Sequence, residues 1–211
     1  MLKQRILSAL VGIPLIIGII HAGGILYFSL IALVATLCQK EYLEMINSHY
    51  HTLPRYLAYL AALMLIYARF YQPDYFLWTL FLIILIYNVF LIAFYPRLSF
   101  WELAASLWGI IYIGGSLSYL PVIRGLEEGY KLSLIFFLLI WVNDSGAYFS
   151  GLLLGKRKLV AAISPKKTVE GAIGGLLAAV LLMTAAGYLL EYSLYGSFLL
   201  GLAVAIAGQL G

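Results

Sequence analysis

Asn143-Asp144-Ser145-Gly146 lies inside one of the most apolar stretches of this 211-residue chain. Lys156-Arg157-Lys158 and Ser164-Pro165-Lys166-Lys167-Thr168 follow it closely. An ionisable group inside a spanning segment costs roughly 2.5–3.5 kcal/mol even on the lenient insertion scale, so such groups are kept for function. At this depth Asp144 needs a cation, a water-filled cavity or a proton. The residue types leave three roles open for it: a metal ligand, an ion-pathway carboxylate, or a polar clamp with Asn143 between helices.

Ser164-Pro165 reads as a helix start, with a hydroxyl cap followed by proline at the first helical position. Lys166 and Lys167 then fall in the first turn, where cations are misplaced unless an anion is bound. Free backbone N–H groups, two ammonium groups and the Thr168 hydroxyl together make a phosphate site. Lys156, Arg157 and Lys158 are equally well explained as interfacial charge reaching lipid headgroups. Glu170, about one turn into that helix, is expected either to pair with a lysine or to contact metal or substrate. Gly171, Gly174 and Gly175 form a small-residue face that lets backbones approach, and would bring Asp144 and the Ser164 cap to one cavity.

The elements that must position these groups are membrane helices. Hydrophobic residues make up 64% of the chain and charged ones 10%, with a mean hydropathy of +1.00. That composition excludes an ordinary soluble domain. The 17 tyrosines suit interfacial positions. Cys38, the one cysteine, excludes an internal disulfide. Apolar runs of spanning character cover about 6–20, 25–39, 56–71, 75–95, 100–121, 132–153, 165–190 and 194–210. No run alternates as a barrel strand would. The expected fold is an all-α, polytopic integral membrane protein with about eight transmembrane helices. It forms one transmembrane domain over 1–211, with residues 1–131 supplying N-terminal helices and 132–211 carrying the chemical window.

The amino terminus reads as a first span rather than a secretory signal, because no small-x-small cleavage pattern follows it and a second apolar run starts at Ile25. His21-Ala22-Gly23-Gly24 is the expected turn between the two. Segment 39–55 mixes charged and apolar residues and is expected to lie as an interfacial helix. His49 and His51 are read as solvated loop residues rather than metal ligands. Alternating sides along the spans places ten Lys and Arg residues with the amino terminus and 154–168, against Arg69, Arg124 and Lys131 opposite. The basic connection is therefore expected in the cytoplasm.

Asn-Asp-Ser-Gly-Ala-Tyr-Phe-Ser-Gly from Asn143, Gly155-Lys156-Arg157-Lys158-Leu159, and Ile163-Ser164-Pro165-Lys166-Lys167-Thr168-Val169-Glu170-Gly171 with Gly174-Gly175 agree in type and spacing with a known pattern. Across Trp141 to Gly175 the chain resembles bacterial phosphatidate cytidylyltransferase, also called CDP-diacylglycerol synthase. The resemblance implies that CTP and phosphatidate give CDP-diacylglycerol and pyrophosphate, with a divalent metal, usually Mg²⁺, at the cytoplasmic face of a bacterial inner membrane. It implies Asp144 as the metal-site carboxylate and, with Lys167, as the catalytic pair. Substrate contacts would come from Asn143, Ser145, Lys156, Lys158, Ser164, Lys166, Lys167, Thr168 and Glu170. Expected partners are the two substrates and membrane lipids, with a homodimer and no nucleic acid.

The family's later signature is a serine followed by Lys-Arg, then Lys-Asp, His-Gly-Gly and an Asp-Arg-x-x-Asp element, and the chain does not contain it. Gly208-Gln209-Leu210-Gly211 resembles the lead-in to that region. The expectation is a truncated chain, with the remaining metal ligands and a further span beyond it. Two rivals share parts of this reading. A CTP-dependent kinase of a polyprenol-type lipid needs the same triphosphate groups but a hydroxyl nucleophile. A transporter of anionic lipid would use Asp144 to carry protons, though no paired set of broken helices is visible.

Overall fold

The computed structural model describes residues 2–46, 52–160 and 164–210. The chain folds as two compact units, Met1–Tyr130 and Lys131–Gly211. In the first, α1 (Leu2–Ala22) and α2 (Gly24–Ile46) are joined at Gly23 and Gly24, which take φ values of +62° and +51°. Glycine tolerates that left-handed backbone because it lacks a Cβ. Arg124 donates from Nε to the Ile20 carbonyl at 2.6 Å and from Nη2 to that of His21 at 3.0 Å, closing the end of α1.

The helices α3 (Thr52–Tyr71), α4 (Phe76–Phe94), α5 (Phe100–Gly109) and α6 (Tyr119–Gly125) complete this unit. A 3-10 turn at Pro73–Tyr75 precedes α4, as the Pro73-Asp74 break anticipates. Ser99 and Glu102 form a reciprocal capping box that starts α5. Between α5 and α6 the backbone opens into a π-turn at Ile110–Gly115, so the fifth predicted span is a jointed helix. Its core gathers Leu43, Ala58, Ala61, Leu65, Ile83 and Ile110. Buried within it, Tyr87 and Ser106 share a 3.0 Å hydrogen bond, which satisfies both hydroxyls.

In the second unit α7 (Gly129–Leu154) is continuous, as predicted for the sixth span. A two-stranded hairpin, β1 (Lys158–Val160) and β2 (Ser164–Thr168), separates it from α8 (Val169–Leu189). Then comes α9 (Leu194–Leu210). Leu139, Ala179, Met183 and Ala205 form the core of α7, α8 and α9.

Among the described residues five helical runs have the length and composition to cross a membrane: Gly24–Ile46, Pro73–Phe94, Phe100–Gly125, Gly129–Leu154 and Val169–Leu189. Leu10–Ala22 and Leu194–Gln209 are shorter apolar helices. Large apolar side chains on these helices face outward, Leu77, Trp78, Ile92, Leu153 and Leu181 among them. Water tolerates so much exposed apolar surface poorly, whereas acyl chains accept it. The protein is an integral membrane protein built of helices. The expected interfacial helix at 39–55 is not separate: its first part continues α2 to Ile46, and Thr52 onward opens α3. His49 and His51 lie outside the described residues.

The contact between α7 and α8 is made by residues with almost no side chain. A Cβ added at Gly175 would lie 2.6 Å from the Asn143 carbonyl oxygen, and one at Gly146 would lie 2.9 Å from Cβ of Ala178. Gly171 is as tightly placed against the Ala147 carbonyl, at 2.8 Å. The predicted small-residue face therefore packs within the chain, α8 on α7. Gly175→Ala is expected to destabilise the protein by about 1–3 kcal/mol through overpacking. Gly18→Ala in α1, where the added carbon meets nothing within 4 Å, should be neutral or stabilising. Unfolding midpoints of the two variants in detergent check this; equal midpoints would show that the α7–α8 contact has slack.

Candidate functional site

The small-residue contact fixes how α7 presents its polar residues. Asn143 is turned inward and is 3% exposed. Successive helix residues are about 100° apart, so burying Asn143 rotates Asp144 away from that packed side. Asp144 and Ser145 are exposed, and Asp144 forms no hydrogen bond or ion pair among the described residues. It stands about 15 Å along α7 from Leu154, well within the apolar helix. The clamp role is therefore carried by Asn143 alone.

The helix start expected at Ser164-Pro165 is not there. Ser164–Thr168 is extended and pairs antiparallel with Lys158–Val160, Lys158 facing Thr168 and Val160 facing Ser164. The helix begins at Val169, capped by Thr168, whose hydroxyl accepts the Gly171 N–H at 3.1 Å. Electrostatics explains the shift. A start at Ser164 would put two cations in the first turn against the helix dipole; the observed start puts Glu170 there instead. Lys166 and Lys167 thus belong to a strand, and alternation sends them to opposite faces, Lys166 with Ser164 and Lys167 away from it. The phosphate site can no longer be built from helix N–H groups at Ser164, and its cations are presented by a hairpin.

Among the described residues Glu170 pairs with neither a lysine side chain nor another carboxylate. Its Oε2 accepts the backbone N–H groups of Lys156 at 3.1 Å and Arg157 at 3.2 Å. The Val169 N–H donates to the Arg157 carbonyl at 2.9 Å. Together these bonds fasten the basic turn after α7 to the first turn of α8. Thr168 also lies against the end of α7, since a Cβ at Gly151 or Gly155 would come within 3.0 Å of its hydroxyl. Lys156, Arg157, Lys158, Lys166 and Lys167 are all exposed around this junction.

One polar link joins the hairpin to the Asn143-Asp144 step. Lys167 donates from Nζ to the Gln209 carbonyl at 3.1 Å. The Gln209 side chain donates from Nε2 to the Ala172 carbonyl at 2.8 Å and to Asn143 Oδ1 at 3.3 Å. Lys167, Gln209 and Asn143 therefore form a chain of contacts that ends beside Asp144. The sequence reading noted Gln209 only within Gly208-Gln209-Leu210-Gly211 and gave it no role in the site. The only local signal was a single amide at the end of an otherwise apolar helix.

The donor set fits a divalent cation that brings its own ligands. Among the described residues no group of three His, Cys, Asp or Glu side chains forms a cage. Asp144 offers one hard, unpaired carboxylate, which suits a cation completed by substrate phosphates and water. Cations on the hairpin and a carboxylate on α7 can between them gather polyphosphate, and Ser164 and Thr168 add hydroxyls.

A sequence model described as the Cytidylyltransferase family matches residues 3–211. The phosphatidate cytidylyltransferase of Staphylococcus aureus strain COL is 29% identical over 217 residues, covering 100% of this chain and 82% of that protein. The same-named proteins of Staphylococcus saprophyticus and Staphylococcus epidermidis are 30% and 29% identical, with the same two coverages. The relation spans both units and every candidate site residue from Asn143 to Glu170: the chain belongs to the cytidylyltransferase family.

Proposed function

We propose that the protein transfers CMP from CTP to phosphatidate, giving CDP-diacylglycerol and pyrophosphate, at the cytoplasmic face of a bacterial inner membrane. The observation that carries this reading is an unpaired Asp144 midway along an apolar helix, in the same compact unit as five cations on the connection from α7 to α8. Relatives of that name across the whole chain support the choice of substrates.

An oxygen of the lipid phosphate attacks the α-phosphorus of CTP, the bond from that phosphorus to the β-bridging oxygen breaks, and pyrophosphate leaves. A phosphomonoester is largely doubly ionised at pH 7, so its attack needs no strong base. The barrier is repulsion between two anions, and it falls when positive charge is fixed around them in advance. A divalent metal, proposed as Mg²⁺ with Asp144 as its protein ligand, supplies Lewis-acid charge to the phosphates when bound.

The chain's own residues do the rest. Lys167 and Lys166 meet the triphosphate from the two faces of β2, with Ser164 and Thr168 as hydroxyl partners. Lys156 and Lys158 hold the lipid phosphate, and Ser145 flanks Asp144 against the nucleotide, while the buried Asn143 acts through the packing of α7 rather than by touching the substrate. Glu170 acts on the substrates indirectly, by holding the Lys156-Arg157 turn in place. A homodimer stays part of the proposal, but the Gly171-Gly174-Gly175 face lends it nothing, since α7 occupies that face.

With the full-length protein and CTP labelled at the α-phosphorus, label is expected in the lipid product. Label left in free CDP would establish a lipid kinase, and no turnover of CTP at all would favour a transporter. Asp144→Asn should reduce turnover by about 100-fold or more while the unfolding midpoint stays near wild type. Undiminished activity would remove Asp144 from the metal site. Glu170→Ala should free the basic turn, so trypsin cuts at 156–158 several-fold faster than in wild type; an unchanged rate would show that the turn is held by other contacts.

A further inference from the structure

Gln209 is tied to three other segments of the second unit. It is half-buried at the end of α9, and its Nε2 donates to α8 at the Ala172 carbonyl (2.8 Å) and to α7 at Asn143 Oδ1 (3.3 Å). Its backbone carbonyl receives Lys167 Nζ from β2 at 3.1 Å. Asn143 has little freedom to move away, because Oδ1 would already lie 3.0 Å from a carbon added at Gly175. A buried amide in that position keeps its orientation only while its partners are satisfied.

We propose that Gln209 is a positioning residue for nucleotide binding: it orients Asn143 beside Asp144 and holds Lys167 on the same side, so that carboxylate and ammonium meet one polyphosphate. This rests on the functional reading above. Lys167 is exposed and holds the Gln209 carbonyl by one hydrogen bond, so a triphosphate can compete for its ammonium. Two Nε2 hydrogens serve two acceptors, so the site needs a donor at residue 209. Glutamate keeps the shape and loses both donors.

A purely structural clamp would behave differently. Its loss would lower the unfolding midpoint, and activity would fall only in step with folded protein. The test uses full-length protein in phosphatidate–detergent micelles, with wild type, Gln209→Leu, Gln209→Glu, Asn143→Ala and the Gln209→Leu/Asn143→Ala double variant. Each is read three ways: equilibrium binding of CTP, kcat/KM for CTP, and unfolding midpoint. Gln209→Leu and Gln209→Glu are each expected to weaken CTP binding and lower kcat/KM by about tenfold at an unchanged midpoint, and the double variant should be no worse than the worse single one, because residues acting through one another are not additive. Wild-type CTP binding in Gln209→Leu, losses that multiply in the double variant, or losses that track the midpoint would each overturn the proposal. If wild type binds CTP with this coupling yet places no cytidine on lipid, the proposed reaction fails while the role of Gln209 in nucleotide binding stands.

Discussion

Backbone-to-backbone approach between α7 and α8 governs everything polar in the second unit. Gly146, Gly171 and Gly175 leave room for carbonyl oxygens where side chains would normally stand. Lipid supplies no hydrophobic force to press helices together, so association in a bilayer depends on such close van der Waals contact. Once the two helices are locked at that distance, the 100° step of α7 does the rest: Asn143 is buried and Asp144 is turned outward. A bulkier contact would rotate or separate the helices and lose this arrangement.

The second constraint is charge at a boundary. The connection between α7 and α8, a turn and a hairpin, keeps five cations outside the apolar helices, while Glu170 ties that turn to the helix that follows. Extended structure here has a consequence a helix would lack. It separates Lys166 from Lys167 by strand alternation, so positive charge can be offered on two faces of one short element. That lets the two lysines approach a triphosphate from different directions.

Most of the helices were legible because each apolar run ends at residues that cannot continue it. Gly23-Gly24, Pro73-Asp74 and Gly125 to Gly129 are breaks in both sequence and structure. Ser164-Pro165 misled for an instructive reason. It is a sound local signal for a helix start, but strand pairing with Lys158–Val160 and the better charge arrangement at Val169 override it. The π-turn at Ile110–Gly115 has no simple sequence mark. Asp144 and the basic clusters announced themselves by the cost of charge near lipid. Gln209 did not, since its side-chain partners lie 37 and 66 residues away along the chain, and only folding brings them together. Glu170 was recognised as needing a partner, yet backbone amides carry no side-chain signature from which that partner could be named.

The proposed function turns on a divalent cation that Asp144 would hold close to the nucleotide and lipid phosphates. Electron–nuclear double resonance of Mn²⁺ bound to the full-length protein, with a non-hydrolysable CTP analogue and phosphatidate, tests it most directly. Phosphorus couplings from both ligands should appear together, and the lipid coupling should vanish in Asp144→Asn. A spectrum showing nucleotide phosphorus alone, unchanged by that substitution, would contradict the account.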